Sequence, residues 1–194
     1  MKNIQRYNQI YQKGIDATWS NTKLPDMIIK YLDFIKNNHK AYKQLRVLDV
    51  GCGRGRLIQQ LIRDGWKNIS GIEIAIAAVN NLPSEIRSKI IIGDFLQSKF
   101  INKFDVIIDI TMTCSGDSKN GNAIFSKIFN LLNQGGYYLG EFFIEPDNHH
   151  KLDQTWYLNQ RDFRRILEDQ LGIIFFETDP KIQGSVFFCV QKDQ

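Results

Sequence analysis

Cysteine and histidine are scarce in this sequence of 194 residues. The cysteines are odd in number and far apart, at Cys52, Cys114 and Cys189, which argues against a disulfide framework and against a zinc site of the Cys-x-x-Cys type. The three histidines are too few to build a histidine-rich metal site, and the two adjacent ones point in different directions on a strand or helix. We therefore expect reduced thiols and no bound metal.

Long hydrophobic runs are also absent. No apolar stretch approaches the ~20 residues that span a bilayer, and the first ten residues are predominantly polar, unlike the apolar core of a secretory signal. Apolar residues make up 43% of the chain and charged residues 24%, which are ordinary values for a globular protein. A chain of this length fits one domain. We expect a single cytoplasmic domain that covers residues 1–194 and has no membrane partner.

The net charge of +4 is unevenly distributed. Residues 1–46 hold nine lysines and arginines against three aspartates, so the basic excess lies in the N-terminal part. Such an excess is typical of a solvated helix face, and it is also found on a rim that attracts an anionic substrate or a nucleic acid. The composition leaves both interpretations open.

Short runs rich in isoleucine, valine and phenylalanine alternate with helical patterns from residue 45 onward. Such alternation is typical of βα units, whose parallel strands are buried on both faces of a sheet. We predict strands at residues 46–50, 69–74, 89–92, 104–110 and 136–143. Helices are predicted at 56–64, at 123–132, from the capping residue Asn159 onward and, in the N-terminal part, after Pro25.

The last 22 residues break this alternation. Residues 173–177 and 186–190 are apolar runs joined by turn-forming residues with no helix between them, which predicts a hairpin. We therefore predict an α/β fold in which a mostly parallel sheet ends with an antiparallel strand.

A glycine-rich turn follows the first predicted strand, where Gly51, Gly53 and Gly55 alternate with Cys52 and Arg54. Glycine lacks a Cβ atom, so it lets the chain bend sharply and lets a ligand approach the backbone. The free N–H groups at the start of the following helix favour a carboxylate or a phosphate. The sequence therefore predicts a nucleotide-type ligand at the carboxyl ends of the strands.

Two acidic residues follow the next strands along the chain. Glu73 stands at the end of the second strand, where a carboxylate can accept hydrogen bonds from both hydroxyls of a ribose. Asp94 follows the third strand, where it can bind an adenine amino group while the ring of Phe95 covers the base. A dinucleotide site requires a third glycine where this chain has Arg56, so a nicotinamide dinucleotide is the least favoured ligand.

Together these motifs resemble those of the class I S-adenosylmethionine-dependent methyltransferases. The similar segments are residues 48–55 for the family's first motif, 71–74 for its second-strand acid, 93–95 for its adenine contact, 104–109 for its fourth strand and 131–136 for its Gly-Gly turn, where Asn133-Gln134 replace Lys-Pro. The resemblance implies a three-layer Rossmann-like sandwich of seven strands with S-adenosyl-L-methionine as the cofactor. It places in the cofactor site Asp49, Gly51, Cys52, Gly53, Gly55, Glu73, Ile74, Asp94, Phe95 and Asp109.

The N-terminal segment is similar to the opening of the thiopurine and tellurite-resistance branch of small-molecule methyltransferases, through residues 7–11, Trp19 and Leu24-Pro25. This resemblance implies that residues 1–40 form a lid and substrate segment over the methionine end of the cofactor. Tyr11 and Trp19 are then candidates for a cation–π contact with the sulfonium. The alternative is that both rings anchor the segment to the core.

Methyl transfer from a sulfonium is an in-line displacement that needs no fixed catalytic residue, because the cofactor carries the activated group. A hydroxyl or protonated amine acceptor requires a base, for which Asp109, Asp117 and His149 are candidates, whereas a thiolate or soft anion does not.

The motifs of nucleic-acid methyltransferases are missing. Residues 110–112 replace the Asp/Asn-Pro-Pro-Tyr/Phe motif of adenine amino methyltransferases, and Cys114 lacks the preceding proline of cytosine C5 enzymes. We therefore expect a small-molecule acceptor and disfavour a nucleic acid, while the oligomeric state stays open. The alternatives are an RNA or protein methyltransferase that uses the basic N-terminal segment, and a cofactor-binding regulator without turnover.

Overall fold

The computed structural model describes residues 2–20, 23–114, 118–144, 156–179 and 184–193. Its strands are β1 Arg46–Val50, β2 Asn68–Glu73, β3 Ile90–Ile92, β4 Phe104–Ile110, β5 Leu132–Phe143, β6 Gly172–Glu177 and β7 Ser185–Gln191. Its helices are α1 Lys2–Gln12, α2 Ala17–Ser20, α3 Asp26–Asn38, α4 Arg56–Arg63, α5 Ile76–Val79, α6 Ser84–Arg87, α7 Ser118–Leu131 and α8 Gln160–Glu168. A short 3-10 helix, Tyr42–Gln44, precedes β1.

The strands form one sheet in the order β3-β2-β1-β4-β5-β7-β6. Strands β1 to β5 pair in parallel, and β7 pairs antiparallel with both β5 and β6. The predicted seven-stranded, mostly parallel sheet with an antiparallel last strand is thus confirmed. The chain winds outward from β1 in one direction and from β4 in the other, and such a reversal opens a crevice at the carboxyl ends of the two strands.

Helices cover both faces of the sheet, which confirms the three-layer sandwich. On one face α3 and α4 contribute their apolar stripes to a core cluster with the sheet residues Val47, Val106, Ile108 and Leu139. On the other face α7 and α8 pack against Leu48, Ile107, Tyr138 and Phe188. The alternation of strand side chains between two hydrophobic layers explains why the strand segments are apolar at nearly every position.

Two local signals in the helices are confirmed. The Asn159 side chain caps α8 by accepting a hydrogen bond from the N–H of Asp162 at 2.9 Å. Helix α3 begins directly after Pro25 and buries Ile28, Tyr31, Leu32 and Ile35.

The boundaries between α7 and β5 differ from the prediction. Helix α7 begins at Ser118 instead of residue 123, and β5 begins at Leu132 instead of residue 136. Leu132 pairs with Phe104, and the register shifts before Tyr137 pairs with Val106, so the Gly135-Gly136 turn interrupts a strand that has already begun. Such an irregularity is a bulge, which periodicity does not reveal.

Among the residues described above, no helix is both long and apolar enough to cross a membrane. The same residues contain no group of three or more His, Cys, Asp or Glu side chains arranged to hold a metal ion. The three cysteines are free and buried.

Candidate ligand site at the carboxyl edge of the sheet

The glycine turn leaves β1 in a conformation that favours glycine at three positions. Gly51, Gly53 and Gly55 have φ angles of +71°, +52° and +65°, which lie in the left-handed region. A Cβ atom on Gly51 would lie 2.5 Å from Met112 Cγ, and one on Gly53 would lie 2.9 Å from the Tyr11 hydroxyl. The turn therefore presents bare backbone to a narrow space that these two side chains line.

Glu73, the last residue of β2, braces the turn. Its carboxylate is 5% exposed and accepts hydrogen bonds of 2.8 Å from the N–H groups of Gly53 and Ala75. Burial raises the pKa of this carboxyl, and the backbone hydrogen bonds oppose that rise. A carboxylate offers about four acceptor positions, so these two hydrogen bonds do not exhaust them.

Asp49 lies one residue before the end of β1 and is 4% exposed. Burial raises the pKa of its carboxyl to about 8, the nearby Glu73 and Asp109 add to the rise, and Arg56 opposes it. Among the described residues, none donates a hydrogen bond to this carboxyl group. A buried acid with free acceptor positions is costly for the fold, and it suits a cationic ligand group.

Two further residues of the predicted site pack beneath the turn. The Cys52 thiol faces β2, since a Cβ on Gly71 would lie 2.7 Å from its Sγ atom. Burial holds the pKa of this thiol well above its ordinary value, so Cys52 is not a thiolate. Ile74 packs against a cluster formed by Tyr11, Ala75 and neighbouring residues of α5.

The loop after β3 is tied down from both of its sides. The Asp94 carboxylate accepts a 2.8 Å hydrogen bond from the N–H of Leu96. From α7, the Lys127 ammonium donates to the carbonyl oxygens of Phe95, Leu96 and Ser98 at 2.5, 3.1 and 2.6 Å. The Phe95 ring is 7% exposed and belongs to the hydrophobic core. These contacts fix the position of the loop, and the Phe95 ring anchors it to the hydrophobic core.

Asp109 organises the loop after β4. Its buried carboxylate accepts hydrogen bonds from the N–H of Met112, from the N–H and hydroxyl of Thr113 and from the Tyr138 hydroxyl. Burial raises the pKa of Asp109 to about 6, although these hydrogen bonds oppose the rise. Thr111 has a φ of +65°, which strains a residue with a branched Cβ. Asp109 therefore holds the strained loop that carries Met112 onto the glycine turn.

The N-terminal segment is docked on the same turn. Arg54 forms an ion pair with Asp16, with Nε–Oδ2 and Nη2–Oδ1 distances of 2.6 and 3.0 Å, and its Nη2 also donates to the Tyr11 carbonyl oxygen. Asp16 is 1% exposed, and Arg54 holds its pKa below the usual value. The Asn8 side chain accepts a 2.9 Å hydrogen bond from the N–H of Ala77. Residues of α1 and the following turn thus cover the turn between β1 and α4.

The structure brings together the predicted residues Asp49, Gly51, Cys52, Gly53, Gly55, Glu73, Ile74 and Asp109 at one edge, with Asp94 and Phe95 in the loop after β3. The side chain of Trp19 lies outside what the structure describes, as do Asp117 and His149. Sequence reasoning missed Asp16 and Lys127 in this region. Neither lies in a motif, and their contacts connect parts of the chain 38 and about 30 residues apart.

Comparisons with known proteins agree with this geometry. Residues 41–180 match the family described as Methyltransf_31, a methyltransferase domain. A ubiquinone biosynthesis O-methyltransferase of Neisseria meningitidis serogroup C (strain 053442) is 30% identical over 118 residues, which are 56% of this chain and 49% of that protein. This chain therefore spans about half the length of that curated relative.

Two solved structures have a similar fold. Magnesium protoporphyrin IX methyltransferase (ChlM) from Synechocystis PCC 6803 with bound SAH superimposes with a TM-score of 0.73 at 16% sequence identity, and the match covers 100% of both chains. TehB from Haemophilus influenzae gives a TM-score of 0.72 at 15% identity and covers 92% of this chain and 66% of that chain. At these identities the likeness establishes the fold.

Proposed function

The chain belongs to the methyltransferase domain family, and from this premise we propose that it transfers a methyl group from S-adenosyl-L-methionine to a small-molecule acceptor. The observation that carries the proposal is the arrangement at the carboxyl edge, where a bare glycine turn, a buried acid with free acceptor positions and a second acid after β2 converge. The small-molecule part is supported by the names of the relatives, which concern ubiquinone biosynthesis and magnesium protoporphyrin IX.

The residues present fit this cofactor part by part. The free acceptor positions of Glu73 suit the two ribose hydroxyls, and the carboxylate of Asp94 suits the adenine amino group. Helix α4 begins at Arg56 directly after the turn, and the N–H groups of its first turn, which have no partner within the helix, suit the ligand carboxylate. Asp49 suits the ligand ammonium and the nearby sulfonium, because both are cationic and Asp49 is a buried acid without a donor among the described residues.

The chain's own contribution to the reaction is positioning and the exclusion of water. When bound, the cofactor supplies the methyl group already activated on sulfur. Met112, held by Asp109, closes the turn from the side of β4, and Tyr11 closes it from the side of the N-terminal segment. The Arg54–Asp16 ion pair keeps that segment in place. In this proposal Asp109 acts on the cofactor through Met112.

The same proposal includes a lid and substrate segment at residues 1–40, a single domain and a cytoplasmic location. An affinity with the tellurite-resistance branch is supported by the similarity to TehB in fold. Part of the basic excess in the N-terminal part is already paired, which weakens the case for RNA. Lys30 forms an ion pair with Glu177, and Lys36 forms ion pairs with Asp33 and Asp64.

Calorimetry with S-adenosylhomocysteine tests the site. The Glu73→Ala and Asp94→Ala variants are each expected to weaken binding by about 1 to 3 kcal/mol, the range for losing hydrogen bonds to a charged group. Glu168→Ala is the matched control, because this carboxylate is paired with Arg164 on α8, away from the turn. Unchanged affinity in both site variants would reject the assignment. Labelled-methyl transfer to an extract of small molecules then tests turnover, and full affinity without transfer would favour a regulator.

A further inference from the structure

Glu141 and Ser185 form a buried polar pair on the half of the sheet edge that the proposed cofactor residues leave free. Glu141 is 8% exposed near the carboxyl end of β5, and Ser185, at the start of β7, is 1% exposed. The Ser185 hydroxyl donates a 2.7 Å hydrogen bond to Glu141 Oε1. The proposed nucleoside residues lie after β2 and β3, on the opposite side of β1.

The strand register places Glu141 at the height of the glycine turn. Val50, the last residue of β1, pairs with Asp109 on β4, and Asp109 pairs with Gly140 on β5. Glu141 is one residue further along β5, so it is level with Gly51. A molecule that lies against the turn and extends across β4 therefore reaches Glu141.

Glu141 also shares a face of the sheet with Asp49. Strand side chains alternate between faces, and each of these acids follows by two positions a residue of the core layer under α3 and α4, namely Leu139 and Val47. The guanidinium of Arg56 attracts both acids. The surface beyond the end of β4, between the ends of β1 and β5, is therefore bordered by two buried acids and one half-buried cation.

The burial of Glu141 is costly for the fold. A buried carboxylate requires compensating hydrogen bonds, and among the described residues the Ser185 hydroxyl is the donor that reaches it. Most of its acceptor positions are therefore left for a ligand. Burial raises the pKa of Glu141 and the charge of Asp179 adds to the rise, while Ser185 and Arg56 oppose it. A carboxylate with a raised pKa at a ligand site is a stronger base than an ordinary exposed carboxylate and is suited to accept a proton.

We propose that Glu141 binds the methyl acceptor and accepts its proton, and that this acceptor is a small neutral molecule whose nucleophilic oxygen or nitrogen carries a hydrogen. This inference rests on the proposed function. The proton passes from that oxygen or nitrogen to a Glu141 carboxylate oxygen, and an electron pair of the acceptor atom forms the bond to the methyl carbon. The carbon–sulfur bond breaks, its electron pair stays on sulfur, and the net charge of the system is unchanged.

The acids around this space disfavour anionic acceptors. The Glu141 carboxylate borders this space, and the charge of the nearby Asp179 adds to its field while the charge of Arg56 opposes it. An anionic acceptor that reacts without losing a proton, such as tellurite, iodide or hydrosulfide, gains nothing from Glu141 and is repelled by it. A hydroxyl or N–H acceptor, which needs a base, is therefore favoured over an anionic acceptor, which does not.

The test uses the full chain with labelled S-adenosyl-L-methionine and a panel of phenols, catechols and N–H heterocycles beside tellurite, iodide and hydrosulfide. Wild-type protein is expected to methylate members of the first group. Glu141→Gln is expected to lower kcat by about 100-fold or more, the size of a general-base contribution, with S-adenosylhomocysteine affinity unchanged. Glu168→Gln on α8, where the carboxylate is paired with Arg164 away from the site, is the matched control, expected to retain full activity.

A second variant tests the role without removing the acid. Ser185→Ala removes the hydrogen bond that lowers the pKa of Glu141, so the rise of kcat with pH is expected to move to higher pH. Full activity of Glu141→Gln, an unmoved pH profile in Ser185→Ala, or transfer confined to the anions overturns the inference. Absence of transfer to every O–H and N–H compound while S-adenosylhomocysteine binds also overturns it. If the wild-type protein does not bind S-adenosylhomocysteine at all, the proposed function is overturned as well.

Discussion

The affinity for the cofactor product is expected to rise with pH because of Asp49. The carboxyl group is buried, and its pKa is raised to about 8, so it is mostly protonated at pH 6.5 in the free protein. A cationic ammonium binds the ionised form, and the observed affinity then follows the fraction of Asp49 that is ionised before binding. From pH 6.5 to 7.5 that fraction grows about eightfold, and the association constant for S-adenosylhomocysteine is expected to grow with it.

Isothermal titration calorimetry at several pH values in this window measures the effect directly. The ligand ammonium stays mostly protonated there, because α-amino groups titrate near pH 8 or above. Asp109, whose pKa is raised to about 6, is largely ionised throughout the window. The Asp49→Asn variant is expected to bind weakly with little dependence on pH. The control Asp105→Asn, at the amino end of β4, is expected to keep the rise.

A flat affinity between pH 6.5 and 7.5 in the wild type would refute the reasoning. The same conclusion would follow if Asp49→Asn kept the wild-type rise, because a different group would then be responsible. A fall in affinity with rising pH would mean that the ligand prefers the protonated acid, contrary to a contact with its ammonium.

Three further predictions concern the surroundings of the site. Lys127→Met is expected to weaken S-adenosylhomocysteine binding by about tenfold in calorimetry, because it removes the donor to three carbonyl groups of the loop after β3. The control Lys192→Met removes the donor to carbonyl groups at the far end of α7, and it is expected to lower the Tm without changing the affinity. Asp16→Asn breaks the ion pair with Arg54 and is expected to speed S-adenosylhomocysteine dissociation by about tenfold in stopped-flow measurements. An unchanged rate would mean that the N-terminal segment does not close the site. Asp49→Asn is expected to raise the Tm of the free protein near neutral pH. The pKa of Asp49 is higher in the folded than in the unfolded chain, so the acid destabilises the fold increasingly as the pH rises from the unfolded-state pKa toward 8. An unchanged or lower Tm in thermal unfolding would contradict this.

The sheet could be predicted from the sequence because its strands depend on local composition. β1 and β4 have the predicted bounds, β3 and β6 differ from the prediction by one residue at one end, and β2 and β7 differ by one residue at each end. These are strands buried on both faces, so each is a nearly continuous apolar run. The bulged start of β5 could not be predicted, because it depends on pairing between Leu132 and Phe104, which are far apart in sequence.

The candidate site likewise has features that could be predicted from the sequence and features that could not. The glycine turn and Glu73 follow from residue types at strand ends, which are local features. The ion pair between Asp16 and Arg54 and the carbonyl contacts of Lys127 depend on how distant segments pack, and no local pattern marks them. Glu141 was visible as an acid in an apolar strand, but its partner Ser185 and its height beside the turn follow from the register.

A crystal structure of the chain with S-adenosylhomocysteine tests the central claim most directly. The account predicts the ribose hydroxyls on Glu73, the adenine beside Asp94 and the ligand ammonium on Asp49, with the N-terminal segment over the turn. A ligand bound elsewhere would contradict it, for example in the groove at the amino edge of the sheet between His39, Asp105 and Tyr137. Crystals soaked with S-adenosylhomocysteine that show protein side chains alone between Glu73 and Asp94 would contradict it equally.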